Sequence, residues 1–256
     1  VVGLTIGHEF SGTIEKVGSK VEDLQVGDRV TGNALIPCGH CRFCLSGKPS
    51  LCESMDMPGV SINGAFAEYI KFPAWVVYKL PEQLSLLDAC LVDTLADILH
   101  AITVSSFKSS NSVLIQGAGP IGILILETLK KFGARKIMVA EISDGRKRLA
   151  QDLGADIVID PRAENLPAII ERQTEGLGVN VLFDAVGLPK TLSENFTLVK
   201  KGGEIMIIGY SEEPTPSDFL TVVLNELTIK GSYLGYNEYP LAIEMSVSYT
   251  HLTLPT

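Results

Sequence analysis

The sequence predicts an α/β protein, β-rich in its first part and built on a doubly wound, six-stranded parallel sheet in its second. Three observations carry this. Short alternating apolar runs broken by glycines fill residues 1 to about 80. From about 85 the apolar residues recur at helical spacing. From 112, strand and helix candidates alternate, which is the pattern of parallel strands joined by helical crossovers.

In the β-rich part, Thr13-Ile14-Glu15-Lys16-Val17 and Asp28-Arg29-Val30-Thr31 read as strands, punctuated by Gly18, Gly27 and Gly32. Strand-like chain resumes at Gly64-Ala65-Phe66-Ala67-Glu68-Tyr69-Ile70. Leu86, Leu87, Cys90 and Leu91, then Leu95, Ile98, Leu99 and Ile102, suit helices with one apolar face. The six later strands are expected at Ser112–Gln116, Lys136–Glu141, Asp156–Ile159, Val181–Ala185, Gly203–Gly209 and Thr228–Ser232. Helices are expected between them, as at Ile121–Phe132 and Arg146–Leu153, with Gly133 and Gly154 placed as C-terminal caps.

The chain has 256 residues, with 21 basic and 30 acidic side chains and a net charge of −9. That balance opposes nucleic-acid binding, which needs a basic surface. No apolar run approaches membrane-spanning length, and no basic-then-apolar leader opens the sequence. The expected setting is the cytoplasm, with no membrane partner. The chain begins without Met in what reads as mid-strand, so a missing front is expected. The last ten residues, Val247–Thr256, look like a translated sequencing adapter, and no function is expected of Tyr249 or His251.

Four of the five cysteines lie within fifteen residues, as Cys38, Cys41, Cys44 and Cys52. Two-residue gaps let successive thiolates turn toward one centre, and four sulfurs complete a closed tetrahedral zinc site of structural type. Iron–sulfur ligation is the rival for such short spacings. His40 lies in the same loop and reads as an exposed loop residue, since four thiolates already fill a site. Cys90 stands apart.

Gly117-Ala118-Gly119-Pro120-Ile121-Gly122 has the G-x-G-x-x-G spacing, follows a strand candidate and opens a helix. In that setting Gly117 makes the tight turn, Gly119 admits a pyrophosphate and Gly122 lets helix and strand pack closely. The helix N-terminus offers free N–H groups and the positive end of its dipole to phosphates, and Pro120 suits its first turn. Glu141 ends the next strand, where an acid accepts ribose hydroxyls and repels a 2′-phosphate. NAD is therefore expected over NADP, with Arg146 as a counter-signal. Val186-Gly187 and Ile208-Gly209 close later strands, where the ribose and nicotinamide would lie. Each pair could equally be a plain tight turn.

Gly7-His8-Glu9 precedes Gly12, and Asp93 and Asp97 begin the helix toward the dinucleotide fold. A lone histidine is more often a hydrogen-bonded core residue than a ligand. An acid at a helix start is usually a cap or first-turn charge. His100, on the same helix, reads as a packed or capping residue.

These stretches resemble the zinc-dependent medium-chain alcohol dehydrogenases. The resemblance rests on Gly7–Gly12, Val26-Gly27-Asp28-Arg29-Val30, the four cysteines, Gly64–Tyr69, Gly117–Gly122 and Lys201-Gly202-Gly203, in the family's order. It includes sorbitol, threonine and galactitol-phosphate dehydrogenase-like branches. The resemblance implies a GroES-like catalytic domain over 1–100, incomplete at its front, and a Rossmann NAD-binding domain over 101–235. It implies the start of a return segment over 236–246, with 247–256 adapter-derived. It further implies two zinc ions, one structural and one catalytic, with His8 and Asp93 as catalytic ligands and Glu9 able to exchange onto the metal. Cys90 is a nearby rival to Asp93. The family's first ligand, a cysteine, and its proton-relaying hydroxyl would lie before Val1. The expected reaction is hydride transfer between a secondary alcohol or polyol and NAD, in a homodimer or homotetramer, and the chain alone is expected to be inactive. The alternatives are a zinc-free reductase of the same fold and a non-catalytic nucleotide- or zinc-binding fragment.

Overall fold

The computed structural model describes residues 3–248. The chain divides into two units. One holds the residues up to His100 together with those from Tyr233 on, and the other runs from Ala101 to Ser232.

The first unit carries a three-stranded antiparallel sheet in the order β1 (Ser11–Thr13), β2 (Arg29–Gly32), β3 (Val77–Lys79). Gly12 faces Val30, and Thr31 faces Tyr78. A helical turn, α1 (Arg42–Leu45), sits inside the cysteine loop. Ser85 then caps α2 (Leu86–Ala89), its Oγ accepting the Asp88 N–H at 3.0 Å. Next comes α3 (Val92–Val104), whose Val92, Leu95, Ala96 and Leu99 pack into this unit's core. The apolar positions three and four apart put those side chains on one face, as the sequence pattern requires.

The second unit runs β4 (Ser112–Gln116), α4 (Pro120–Lys131), β5 (Lys136–Ala140), α5 (Asp144–Asp152), β6 (Ile157–Ile159), α6 (Leu166–Gln173), β7 (Val179–Asp184), α7 (Pro189–Asn195), β8 (Val199–Ile207), α8 (Phe219–Leu224) and β9 (Thr228–Gly231). Its six strands pair in the order β6-β5-β4-β7-β8-β9, all parallel. β4 lies between two neighbours and is buried along its whole length, which is why its sequence reads as an unbroken run rather than an alternation. The strand order reverses beside β4, so the crevice above the carboxyl ends of β4 and β7 is the place where such a sheet takes a ligand. β9 closes one edge, and Phe219, Leu220, Val223 and Leu224 of α8 stand exposed. From Tyr233 the chain belongs again to the first unit, where α9 (Tyr239–Ser248) sets Tyr239, Ala242 and Ile243 into the core with α3.

The α/β class and the six parallel strands are as the sequence predicts, although β7 and β8 begin earlier than expected, at Val179 and Val199, and end at Asp184 and Ile207. Two expectations are corrected. The run Thr13–Val17 is strand only to Thr13, although Ile14 still exchanges backbone hydrogen bonds with Asp28 and Gly27. Gly64–Ile70 is not a strand. Its first amides bond irregularly to the chain before β1, with Gly64 N–H on Thr5 O at 2.7 Å, Ala65 on Gly7 O at 2.9 Å and Phe66 on Ile6 O at 2.9 Å. An added Cβ on Gly64 would stand 2.1 Å from Gly7 O and 2.7 Å from Gly59 Cα. Backbone packed on backbone leaves no room for a pleat. The adapter-like tail lies outside the described residues except for Val247 and Ser248, which end α9.

Candidate functional site

The cysteine loop leaves β2 through a neck where Ile36 and Asp56 exchange backbone hydrogen bonds of 2.9 and 3.0 Å. Gly39 and Gly47 turn it at positive φ, 75° each, and α1 and a short 3₁₀ turn at Pro49–Leu51 fold it back. The Sγ atoms of Cys38, Cys41, Cys44 and Cys52 all lie within 4.8 Å of one another. Cys41 and Cys44 are 3.5 Å apart, Cys38 and Cys44 4.0 Å, and Cys41 and Cys52 4.0 Å. Sulfurs on a tetrahedral zinc at ~2.3 Å stand about 3.8 Å apart, so the cage fits that ion. N–H groups of Cys38 and Ser54 point at the Cys52 sulfur at 3.3 and 3.4 Å, and that of Cys41 at the Cys38 sulfur at 3.4 Å. N–H donors from Cys44 and Glu53 pull the Cys41 thiol down to about 6. Burial, with the Cys41 sulfur beside it, pushes Cys44 up to about 12. Thiols this close resist full ionisation unless a cation neutralises them. His40 is exposed and reaches only the Cys38 carbonyl, 2.8 Å away, as expected of a loop residue.

His8 and Glu9 follow Gly7, which takes φ 93° beneath the Phe66 ring. The close packing of Gly7 with Gly59 and Gly64 fixes the backbone from which both side chains emerge, and both are exposed. Asp93, in the first turn of α3, is buried. Its Oδ1 accepts from the Ala34 N–H at 3.2 Å and from the Tyr239 hydroxyl, and its hydrogen bonds with the described residues both fall on that oxygen. Burial pushes its carboxyl up. The Tyr239 and Ala34 donors and the charge of His8 pull it down, and the charge of Glu9 pushes it up. Glu9 Oε1 accepts from the Thr94 hydroxyl. His8, Glu9 and Asp93 thus share one neighbourhood, but the four cysteines are the only set of three or more donors that converges within 4.8 Å among the described residues. Asp97 is tied to the Gly235 N–H at 2.5 Å and His100 to Glu238 at 2.9 Å, so both are occupied structurally. Cys90 lies 3.6 Å from the Ser11 hydroxyl and 3.6 Å from Leu86 O.

In the second unit, Gly117 leaves β4 at φ 87°. An added Cβ on Gly122 would meet Gly117 O at 1.9 Å, whereas one on Gly119 would meet nothing nearer than Arg146 Nη1 at 4.0 Å. Gly122 is therefore there for packing, and Gly119 opens space above the loop. Gly119 caps α4 with Pro120 in its first turn and no side-chain cap, which leaves the helix N–H groups for an anion. Glu141 is buried at the end of β5. Its Oε2 accepts from the Ala118 N–H at 2.7 Å, and Oε1 accepts from Ile142 and Ser143, 2.8 Å each. It ties the glycine loop to the next turn, and its three acceptances leave one lone pair free, on Oε2. Ile121 and Arg146 flank the loop, half-buried and exposed respectively. Val186-Gly187 and Ile208-Gly209 face each other, since a Cβ on Gly187 would stand 2.2 Å from Gly209 C.

Residues 2–82 match the alcohol dehydrogenase GroES-like domain, and residues 120–248 match the zinc-binding dehydrogenase family. The chain belongs to this zinc-binding dehydrogenase family. Escherichia coli (strain K12) YdjJ, described as an uncharacterized zinc-type alcohol dehydrogenase-like protein, is 35% identical over 93% of this chain and 69% of its own length. A putative zinc-binding dehydrogenase from Sinorhizobium meliloti 1021, crystallised with NADP, superposes with a TM-score of 0.90 at 28% identity, covering 96% of this chain and 73% of that one. The 2R,3R-butanediol dehydrogenase of Bacillus subtilis does so at 0.89 and 32%, covering 98% and 71%. The chain is thus a zinc-type dehydrogenase of this family. No helix among its described residues is long and apolar enough to cross a membrane. Sequence reasoning missed Tyr239 as a partner of Asp93, and it missed the hydrogen bonds of Asp184, Asn195 and Gln116. The Tyr239–Asp93 and Gln116–Asn195 bonds join residues 146 and 79 positions apart, which no local pattern signals.

Proposed function

We propose that this dehydrogenase oxidises a secondary alcohol or polyol with NAD, rather than NADP, as hydride acceptor. The observation that carries the cofactor choice is the Glu141 carboxylate. It is locked at the end of β5 by three backbone N–H groups and keeps a lone pair on Oε2 for a ribose hydroxyl. A 2′-phosphate there would meet a fixed negative charge. The N-terminus of α4 would take the pyrophosphate.

His8 and Asp93 are the residues that would hold a catalytic zinc, His8 through a neutral imidazole and Asp93 through Oδ2, which takes no hydrogen bond from the described residues. When bound, that ion would supply the Lewis acidity that makes an alcohol proton easier to lose near neutral pH. The chain's own residues do the rest. Tyr239 and the Ala34 N–H hold Asp93 by Oδ1, and Thr94 holds Glu9 beside it. The cysteine cage holds the structural zinc and stays out of the chemistry, because four sulfurs leave no open position.

The substrate class is tested on the complete gene product by NAD reduction with a panel of alcohols, followed by NADH absorbance. Secondary alcohols and polyols are expected to exceed primary alcohols of equal carbon number by tenfold or more in kcat/KM. Primary alcohols leading the panel would contradict the proposal.

A further inference from the structure

On the far side of β4 from Glu141, a second buried carboxylate has no part in the chemistry so far. Asp184 ends β7 and is wholly buried. Its Oδ1 accepts from the N–H groups of Val186 at 2.9 Å and Gly187 at 2.7 Å. Its Oδ2 accepts from Asn195 Nδ2 at 2.6 Å, and Asn195 Oδ1 accepts in turn from Gln116 Nε2 at 3.2 Å. Asn195 and Gln116 are buried as well. The backbone carbonyl of Asp184 accepts from Ile208 and Gly209, 2.9 Å each. One residue therefore anchors both turns, 186–187 through its side chain and 208–209 through its main chain.

The turns it anchors are closely fitted. Gly187 takes φ 71°. A Cβ on Gly117 would stand 2.7 Å from Val186 Cγ2, and one on Gly209 2.8 Å from Ala185 C. A shift of the 186–187 turn would disturb both the glycine loop and the 208–209 turn. The sheet order sets what these turns face. β5, with Glu141, lies on one side of β4, and β7 and β8 lie on the other. A dinucleotide lying across the crevice with its adenine ribose at Glu141 brings its nicotinamide half to the ends of β7 and β8.

We propose that Asp184 is a positioning residue of the cofactor site, shaping the Val186–Gly187 turn that receives the nicotinamide half of the dinucleotide. The inference rests on the nicotinamide-cofactor reading above. Asn195 and Gln116 serve it by orienting the carboxylate, so that both Oδ1 lone pairs stay with the turn.

The test is a titration of the wild type, D184A and D184N with NADH and with ADP, which lacks the nicotinamide half. In D184A two turn amides lose their acceptor. NADH should bind at least tenfold more weakly and ADP within twofold of wild type. D184N keeps an amide oxygen for those N–H groups while Asn195 and Gln116 reverse their amides, and NADH should bind within threefold. Unchanged NADH binding in D184A, an equal loss of NADH and ADP, or a D184N as weak as D184A would overturn the proposal. Wild type binding neither ligand would instead overturn the cofactor reading. Should D184A fail to fold, hydrogen exchange in the wild type decides. The Val186 and Gly187 amides should exchange as slowly as those of β7, and exchange as fast as the amides of exposed Glu212 and Glu213 would overturn it.

Discussion

Glu127 lies mid-way along α4, half-buried, and its Oε2 has no hydrogen-bond partner. Burial pushes its carboxyl up to about 7, against smaller opposing pulls from Lys131 and Lys130. In the unfolded chain the same group ionises near 4.5. As pH rises from there toward 7, the unfolded state releases its proton first, so the folded state loses stability over that window and holds the loss above it. Because the side chain is only half-buried, solvent screening limits the effect to about 1 kcal/mol. Replacing Glu127 by Gln should therefore raise the melting temperature of the cofactor unit by roughly 2–4 °C at pH 8 and leave it unchanged at pH 4. An equal effect at both pH values would show that the carboxyl is not the source. Residues of this kind are hard to read locally. Glu127 looks like an ordinary helix-surface acid, and Asp93 like a first-turn charge, until the chain brings Tyr239 to it from 146 positions away.

At the scale of elements, the cysteine loop is the clearest case of sequence dictating structure. Its four thiols converge because the gaps are two residues long and Gly39 and Gly47 supply left-handed turns. Only Cys52 of the four is fully buried, so the loop has little apolar surface of its own and depends on the metal for its fold. Removing zinc with a chelator, or making Cys44→Ser, should expose residues 38–52 to protease while the parallel sheet remains resistant. A loop that stays protected without metal would show that its packing, not the ion, holds it. The same clarity extends to the parallel strands, where Ser112–Gln116 was bounded correctly because a strand buried on both faces reads as an apolar run ending in glycine. It fails at Gly64–Ile70, whose apolar alternation suggests a strand. The contact of Gly64 with Gly7 and Gly59 that prevents one is set by residues far apart in sequence.

For the whole molecule, the candidate metal and cofactor residues can be picked out in the sequence because each depends on local spacing: two-residue cysteine gaps, a glycine turn after a strand, an acid at the next strand's end. What holds those residues in place was not legible. Asp184, Asn195 and Gln116 come from three elements, and the donors around Asp93 come from beside β2 and from α9. Together these parts are proposed to make a zinc-type dehydrogenase whose cofactor unit selects NAD. Calorimetric titration of the zinc-loaded protein with NADH and NADPH tests it most directly. NADH should saturate at one molecule per chain and bind at least tenfold more tightly than NADPH. No saturable NADH binding, or NADPH binding as tightly or more so, would contradict it.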